Sequence, residues 1–312
     1  MRIVDLREPV DEIGAAQPAG PVVAVGSLDE ASEPWLTTAT FTLTEDDTDD
    51  RRAIMVPSLS AAVTELVAHV AHRPIAAAVC DDVLRAVDPD GPTLAAVLTE
   101  SLAYSTLQGG PEFAHWLARR GPAEMPDTGD PVLAERDGNV LRIRFNRPGR
   151  HNAFSTAARA ALLEALTVAQ FDPSVAEVVL SGDGRSFCSG GDLAEFGALS
   201  DPASAHLART RHSPALVLDA LTARLGAACR AEVHGQVLGS GLELAAFCGR
   251  VVAQPRSMFG LPELKLGLMP GAGGTVSVTR RIGRWRTAYL VLSGKTIDPV
   301  TALRWGLVDD IA

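Results

Sequence analysis

The chain reads as an α/β protein, on two observations. Short apolar runs alternate with stretches of helical spacing along most of its 312 residues. Glycine-rich turns stand between the two kinds of segment, which is the layout of strands and helices in successive layers. Aromatic residues make up only 5% while Ala and Gly abound, so the elements must approach one another closely.

Taken in order, Pro21-Val22-Val23-Ala24-Val25-Gly26 reads as a short buried strand, and Ala53-Ile54-Met55-Val56-Pro57 as another. The acidic patch Glu45-Asp46-Asp47-Thr48-Asp49-Asp50 between them is expected in an exposed loop. Ala62, Val63, Leu66, Val67 and Val70 recur at helical spacing over residues 60–72, with Ser58 or Ser60 as the cap. Residues 74–80, Pro-Ile-Ala-Ala-Ala-Val-Cys, read as a buried strand, and helices are expected over 94–107 and 111–120. Breakers crowd residues 121–131, which divides the chain into a region 1–125 and a region 131–312. Residues 140–145 alternate as a half-exposed strand, and Ser155 opens a helix carrying Ala158, Leu162, Leu163 and Leu166. Strands follow over 175–181, 230–234 and 251–254. Helices are expected over 216–225, from Glu243 to Cys248, and over 285–293 and 299–305.

Composition excludes several classes of function. A net charge of −10 leaves no basic footprint for nucleic acid, although one pocket can still be locally positive for a phosphorylated ligand. Cys80, Cys188, Cys229 and Cys248 show no CxxC spacing and sit among apolar neighbours, as reduced buried thiols do. The opening MRIVDLREPVDEIG has acids where a signal peptide needs an apolar core. No apolar run approaches the roughly 18 residues of a membrane span. A soluble cytoplasmic protein without membrane or nucleic-acid partners is expected.

Two glutamates carry the chemistry. Glu243 closes Gly239-Ser240-Gly241-Leu242-Glu243, and Glu263 lies in Phe259-Gly260-Leu261-Pro262-Glu263-Leu264. Both stand in apolar stretches, where an ionised carboxylate is costly unless something uses it. Two carboxylates in one apolar cleft can divide a proton, one as acid and one as base. Three loops accompany them: Ser186-Phe187-Cys188-Ser189-Gly190-Gly191-Asp192, Gly235-Gln236-Val237-Leu238-Gly239-Ser240-Gly241, and Pro270-Gly271-Ala272-Gly273-Gly274-Thr275. A glycine turn running into a helix offers free N–H groups to a developing oxyanion. The dinucleotide pattern G-x-G-x-x-G fails, because Leu244 stands where its third glycine belongs. Acid/base work on a carbonyl compound is indicated.

From about residue 131 onward the chain closely resembles the enoyl-CoA hydratase/isomerase, or crotonase, superfamily. The resemblance rests on Asn146-Arg147-Pro148-Gly149-Arg150-His151-Asn152-Ala153-Phe154, on the three loops, on residues 259–275, on Leu292-Ser293-Gly294-Lys295-Thr296 and on Ala302-Leu303-Arg304-Trp305-Gly306-Leu307-Val308. It implies a spiral of β-β-α units preceded by an additional α/β region. It also implies an acyl-CoA substrate whose thioester oxygen meets the N–H groups of Gly191 and Ser240; the second position is usually glycine. Glu263 would protonate the α carbon and Glu243 would orient and activate water, which makes the expected activity that of an acyl-CoA lyase, hydrating a 2-enoyl thioester. Arg150 falls where CoA phosphates are met, Gly271 near the water, and Ser189, Gly190 and Asp192 in the substrate loop. Coenzyme A enters as part of the substrate, with no separate cofactor and no metal.

Bland roles stand beside these. Asp192 is expected to stabilise its loop, His234 to pack, His151 to meet either the adenosine or solvent, and Trp285 and Trp305 to pack. Arg280, Arg281, Arg284 and Arg286 read as a solvated helix face rather than a phosphate site. Family members continue past the position of Leu307-Val308 with helices that trimerise and close the site. Residues 1–125 are expected to replace that cover, or to be a degenerate crotonase-like half, and a trimer or dimer of trimers is expected. Isomerisation, decarboxylation or thioester hydrolysis, and a non-catalytic acyl-CoA-binding subunit, remain the alternatives.

Overall fold

The computed structural model describes residues 1–10, 20–123, 129–198 and 201–312; part of the breaker-rich segment at 121–131 lies outside them. The N-terminal strands β1 (Arg2–Asp5), β2 (Val22–Val25), β3 (Phe41–Thr44) and β4 (Ala53–Met55) form an all-parallel sheet in that order. Then come β5 (Val132–Asp137), β6 (Val140–Phe145), β7 (Glu177–Gly182), β8 (Cys229–Val233), β9 (Gln236–Leu238), β10 (Arg250–Ala253), β11 (Met258–Gly260) and β12 (Asp310–Ile311). Six of these make a sheet of order β12-β10-β8-β7-β6-β5, parallel except for the β5–β6 hairpin. β9 and β11 pair in parallel as a second small sheet, which a bridge from Cys188 to Val237 extends.

The repeat is visible in that wiring. β8 and β10 lie in the large sheet, and β9 and β11, the strands that follow each, turn into the small one. After β7 the chain does the same through Cys188. Each unit therefore delivers a loop to the seam between the sheets. Val178, Val179 and Leu180 of β7 are all buried, because the strand is covered on both faces. Gly235 permits the sharp β8–β9 turn: its φ is +57°, and a Cβ there would stand 2.0 Å from the Arg185 carbonyl oxygen.

The N-terminal region shares its larger apolar core with the rest, running from Val23 and Phe41 to Leu307 and Val308, and holds a smaller one of its own around Val4, Val22 and Trp35. The helices Leu59–Ala71, Pro74–Ala86 and Thr93–Gln108 pack on the long helix Gly274–Ser293. Ser58 caps the first of them by accepting from Ala61 N. The strand expected over 74–80 is instead the helix Pro74–Ala86. Its buried set, Ala76, Ala77, Cys80, Val83 and Leu84, has helical spacing, and Pro74 occupies a first-turn position that proline favours. A run of small apolar residues satisfies both periods when it is short.

Other expectations shift at their ends. The helix expected from Glu243 begins at Ser240 and ends at Ala245. The helix expected over 285–293 is the second half of Gly274–Ser293, which kinks at Gly283 with φ +81°. β1, β3, β5 and the helix Pro202–Arg211 were not anticipated from spacing. The four cysteines are free and buried, as expected.

The arginine cluster is a correction. Arg280 donates to the Pro89 and Gly91 carbonyls and pairs with Asp219; Arg281 donates to the Ala246 and Cys248 carbonyls. Arg284 reaches Thr37 O and Ala39 O, and Arg286 reaches Asp49 O beneath the Trp305 ring. These side chains tie the long helix to its surroundings, three of them to the N-terminal region. Trp305 packs as expected, edge-on to Tyr289.

Candidate active site

A cavity of about 570 Å³ opens at the seam between the sheets. Its walls include Ser189, Gly190, Gly191, Ser240, Glu243, Glu263 and Gly271, so seven of the nine expected site residues converge there.

The first loop is fixed by a one-residue bridge. Phe154 N donates to Gly190 O at 2.8 Å, and Asp192 N to Phe154 O at 3.0 Å. In a parallel bridge the intervening N–H faces the other way, and Gly191 N has no acceptor among the described residues. In the second loop Gly239 takes φ +47°, ψ −126°, and Ser240 opens a helix. A first-turn N–H has no intrahelical partner, and among the described residues Ser240 N has none of any kind. A Cβ on Gly239 would lie 2.5 Å from Glu263 Oε1, so the absence of a side chain lets that carboxylate rest against the turn.

The third loop holds two carboxylates. Glu243 Oε2 accepts from Ala272 N at 2.7 Å and Gly274 N at 2.8 Å. Glu100 Oε1 accepts from Gly273 N at 2.7 Å, and its Oε2 from Thr275 N at 2.9 Å and Thr275 Oγ1 at 2.7 Å. Both are thus bound in alternation to the start of the helix Gly274–Ser293, where donors and dipole favour negative charge. Both are 1% exposed. Glu263 Oε2 is also buried and has no partner among the described residues.

Burial pushes Glu263 up to about 8, with the charge of Glu100 adding to it. Burial raises Glu100 to about 7, against the bonds from Thr275 and Gly273. Glu243 is held well above the ordinary carboxyl range by burial, then by the charges of Glu100 and Glu263. The cluster therefore retains protons at neutral pH; Glu263 Oε2 has no partner among the described residues, and of Glu243 only Oε2 is engaged.

Arg150 and Asp192 stand outside this wall. Asp192, 2% exposed, pairs with Arg147 at 2.8 Å and Arg150 at 3.0 Å and accepts from Ala194 N, which is the loop-stabilising role. His151 meets Ser186 Oγ and His234 meets the Gly184 carbonyl, both within the protein framework. A larger cleft of about 660 Å³ lies elsewhere, by the Gly283 kink, lined by arginines and Trp285 without any glutamate.

Residues 135–312 match the family model for enoyl-CoA hydratase/isomerase. The chain belongs to that family. It is 37% identical over 180 residues to the 2,3-dehydroadipyl-CoA hydratase of Escherichia coli, covering 58% of this chain and 68% of that one. A probable enoyl-CoA hydratase of Mycobacterium bovis is 34% identical over 186 residues, covering 59% and 69%. Among solved structures, enoyl-CoA hydratase from Thermoplasma volcanium superposes with TM-score 0.51 at 31% identity, over 59% of this chain and 72% of that one. Enoyl-CoA hydratase from Mycobacterium smegmatis does so with TM-score 0.52 at 31% identity, over 58% and 70%. The fold is that of the crotonase superfamily. Among the described residues no helix is long and apolar enough to cross a membrane.

The family match stops short of Tyr104 and Gln108 in the cavity wall and of Glu100, which borders a neighbouring small recess. All three come from the Thr93–Gln108 helix of the N-terminal region, and none was singled out from the sequence. A Cβ on Gly271 would stand 2.4 Å from the Tyr104 ring, which shows how tightly the two regions close on each other. The signal for Glu100 was available: like Glu243, it is an acid within a largely apolar helical stretch, residues 94–104.

Proposed function

We propose that the enzyme hydrates, and in reverse dehydrates, a 2-enoyl-CoA thioester. One observation carries this reading: two unengaged backbone donors, the buried Glu243 and the half-buried Glu263 meet around one cavity. The N–H groups of Gly191 and Ser240 would receive the thioester oxygen as it gains negative charge, and their fixed positions require no reorganisation. Glu263, protonated near neutral pH, suits delivery of a proton to the α carbon. Glu243 lies in the same wall and suits a water attacking the β carbon. Its Oε2 is anchored by Ala272 and Gly274, which fixes the direction of the other oxygen. Glu100 would hold the loop and keep the cluster's charge low without touching substrate. The N-terminal region closes the cavity through Tyr104 and Gln108, and the protein would assemble as a trimer or a dimer of trimers.

The test is spectrophotometric. Incubation with a panel of 2-enoyl-CoA thioesters should bleach the conjugated enoyl absorbance and yield 3-hydroxyacyl-CoA. Release of free CoA, or a shifted double bond without water uptake, would instead assign the hydrolase or isomerase reaction.

A further inference from the structure

The cavity carries positive charge that the chain leaves unneutralised. Arg159, on the helix Thr156–Phe171, lines it, and its guanidinium has neither a hydrogen-bond acceptor nor an ion-pair partner among the described residues. Glu195 is the acid whose charge reaches it, but Glu195 Oε2 is taken by Thr156 N at 2.6 Å and Thr156 Oγ1 at 2.8 Å. Arg209 lies in the same wall, 4.5 Å above the Tyr104 ring. It donates to neutral oxygens: Ser101 Oγ at 3.1 Å, Ser101 O at 3.3 Å, Gln108 Oε1 at 2.8 Å, and Ser105 Oγ. It too forms no ion pair among the described residues. Both arginines also border a small recess with Glu100, Ser213 and Pro214.

Half-buried guanidinium groups without anions are costly, and a chain with 38 acids had no shortage of partners to place there. Burial pulls both groups below the usual arginine range, against the opposing charges of Glu195 at Arg159 and Glu100 at Arg209. A simple aliphatic tail would leave this charge facing hydrocarbon. Resting on the reading of the cavity as an acyl-thioester site, we propose that Arg159, with Arg209 beside it, receives a carboxylate at the far end of the acyl chain. The substrate class is then the 2-enoyl thioester of a dicarboxylic acid. Arg159 is the specificity residue, because its planar fork is free for two-point contact with a carboxylate.

The experiment uses two 2-enoyl-CoA thioesters of equal length, one ending in a methyl group and one in a carboxylate. The wild-type enzyme should favour the carboxylate by about 10²-fold in kcat/KM, the scale of a charge-assisted pair. Arg159→Met should bring that ratio close to unity and Arg159→Lys should restore part of it, with melting temperatures confirming that both variants fold. Calorimetry with the two saturated acyl-CoAs gives the same comparison without turnover, so a failure of hydration and a failure of tail recognition are told apart. Equal preference in the wild type, or an equal loss on both thioesters in Arg159→Met, would overturn the proposal. So would a matching loss of affinity for free CoA, which would assign Arg159 to the nucleotide phosphates.

Discussion

At the scale of the residue, the site depends on carboxyl groups kept from ionising. Glu263 in the folded chain holds its proton to about pH 8, well above the ordinary carboxyl value. The folded state therefore binds a proton that the unfolded chain releases. Its contribution to stability is intact below the ordinary carboxylate range and is lost progressively as pH rises toward 8. Glu100 and Glu243, which bear on the same group, act with the same sign. Thermal unfolding followed between about pH 5 and about pH 9 should show a falling melting temperature, and Glu263→Gln should flatten the fall. A melting temperature that rose with pH, or an unchanged slope in Glu263→Gln, would contradict the assignment. The hydration rate should fall over the same upper range as the acid is lost. Glu243 and Glu263 were legible in the sequence because an acid in an apolar run asks for a reason. Arg150 pairs with Asp192 inside the fold, a contact across 42 positions that no local pattern shows.

At the scale of the element, the turn into the helix Ser240–Ala245 and the start of Gly274–Ser293 supply the donors. Proline is tolerated in the first turn of a helix, where its missing N–H costs no intrahelical bond. Ser240→Pro should thus leave folding near wild type while lowering kcat by about 10²–10³, the effect of removing one oxyanion donor. Full activity in a folded Ser240→Pro would exclude that N–H from catalysis. Glu100→Ala, by contrast, strands two buried N–H groups and a hydroxyl at the start of the long helix. Each unsatisfied buried group costs about 1–3 kcal/mol, so denaturant unfolding should register a loss of at least about 2 kcal/mol. A loss below that would mean the loop is held by other means. Spacing located the glycine loops but not the partner of the third one. Glu100 lies 173 positions from Gly273, and only the packed helices bring them together.

At the scale of the whole molecule, the N-terminal region is a wall of the site. Its three longest helices pack on Gly274–Ser293 and not chiefly on the β5–β6 hairpin that follows them in sequence. Their position in the chain should therefore be dispensable while their presence is not. A chain lacking residues 1–123 should fail to unfold cooperatively, since it exposes the apolar face of the long helix. A chain carrying the same residues after Ala312, through a flexible linker, should fold and keep its activity. If the shortened chain proved as stable as the full one, the N-terminal region would be an independent module. Light scattering should return a multiple of the chain mass, and a monomer at micromolar concentration would rule out the trimeric assembly. The α/β class and the crotonase spiral were readable from loop motifs spread over residues 146–308. The N-terminal region was not, because small apolar residues over 74–80 fit a strand or a helix equally until a neighbour selects the face.

The central claim is that two glutamates act together on one enoyl thioester. It is tested most directly by the steady-state hydration rate of Glu243→Gln, Glu263→Gln and the double variant beside the wild type. Each single change should lower kcat by about 10² or more while affinity for CoA changes far less. The double variant should be little slower than the slower single, because groups that serve one transition state lose their effect as a unit. Near wild-type hydration in either single variant, or losses that multiply in the double, would contradict the account.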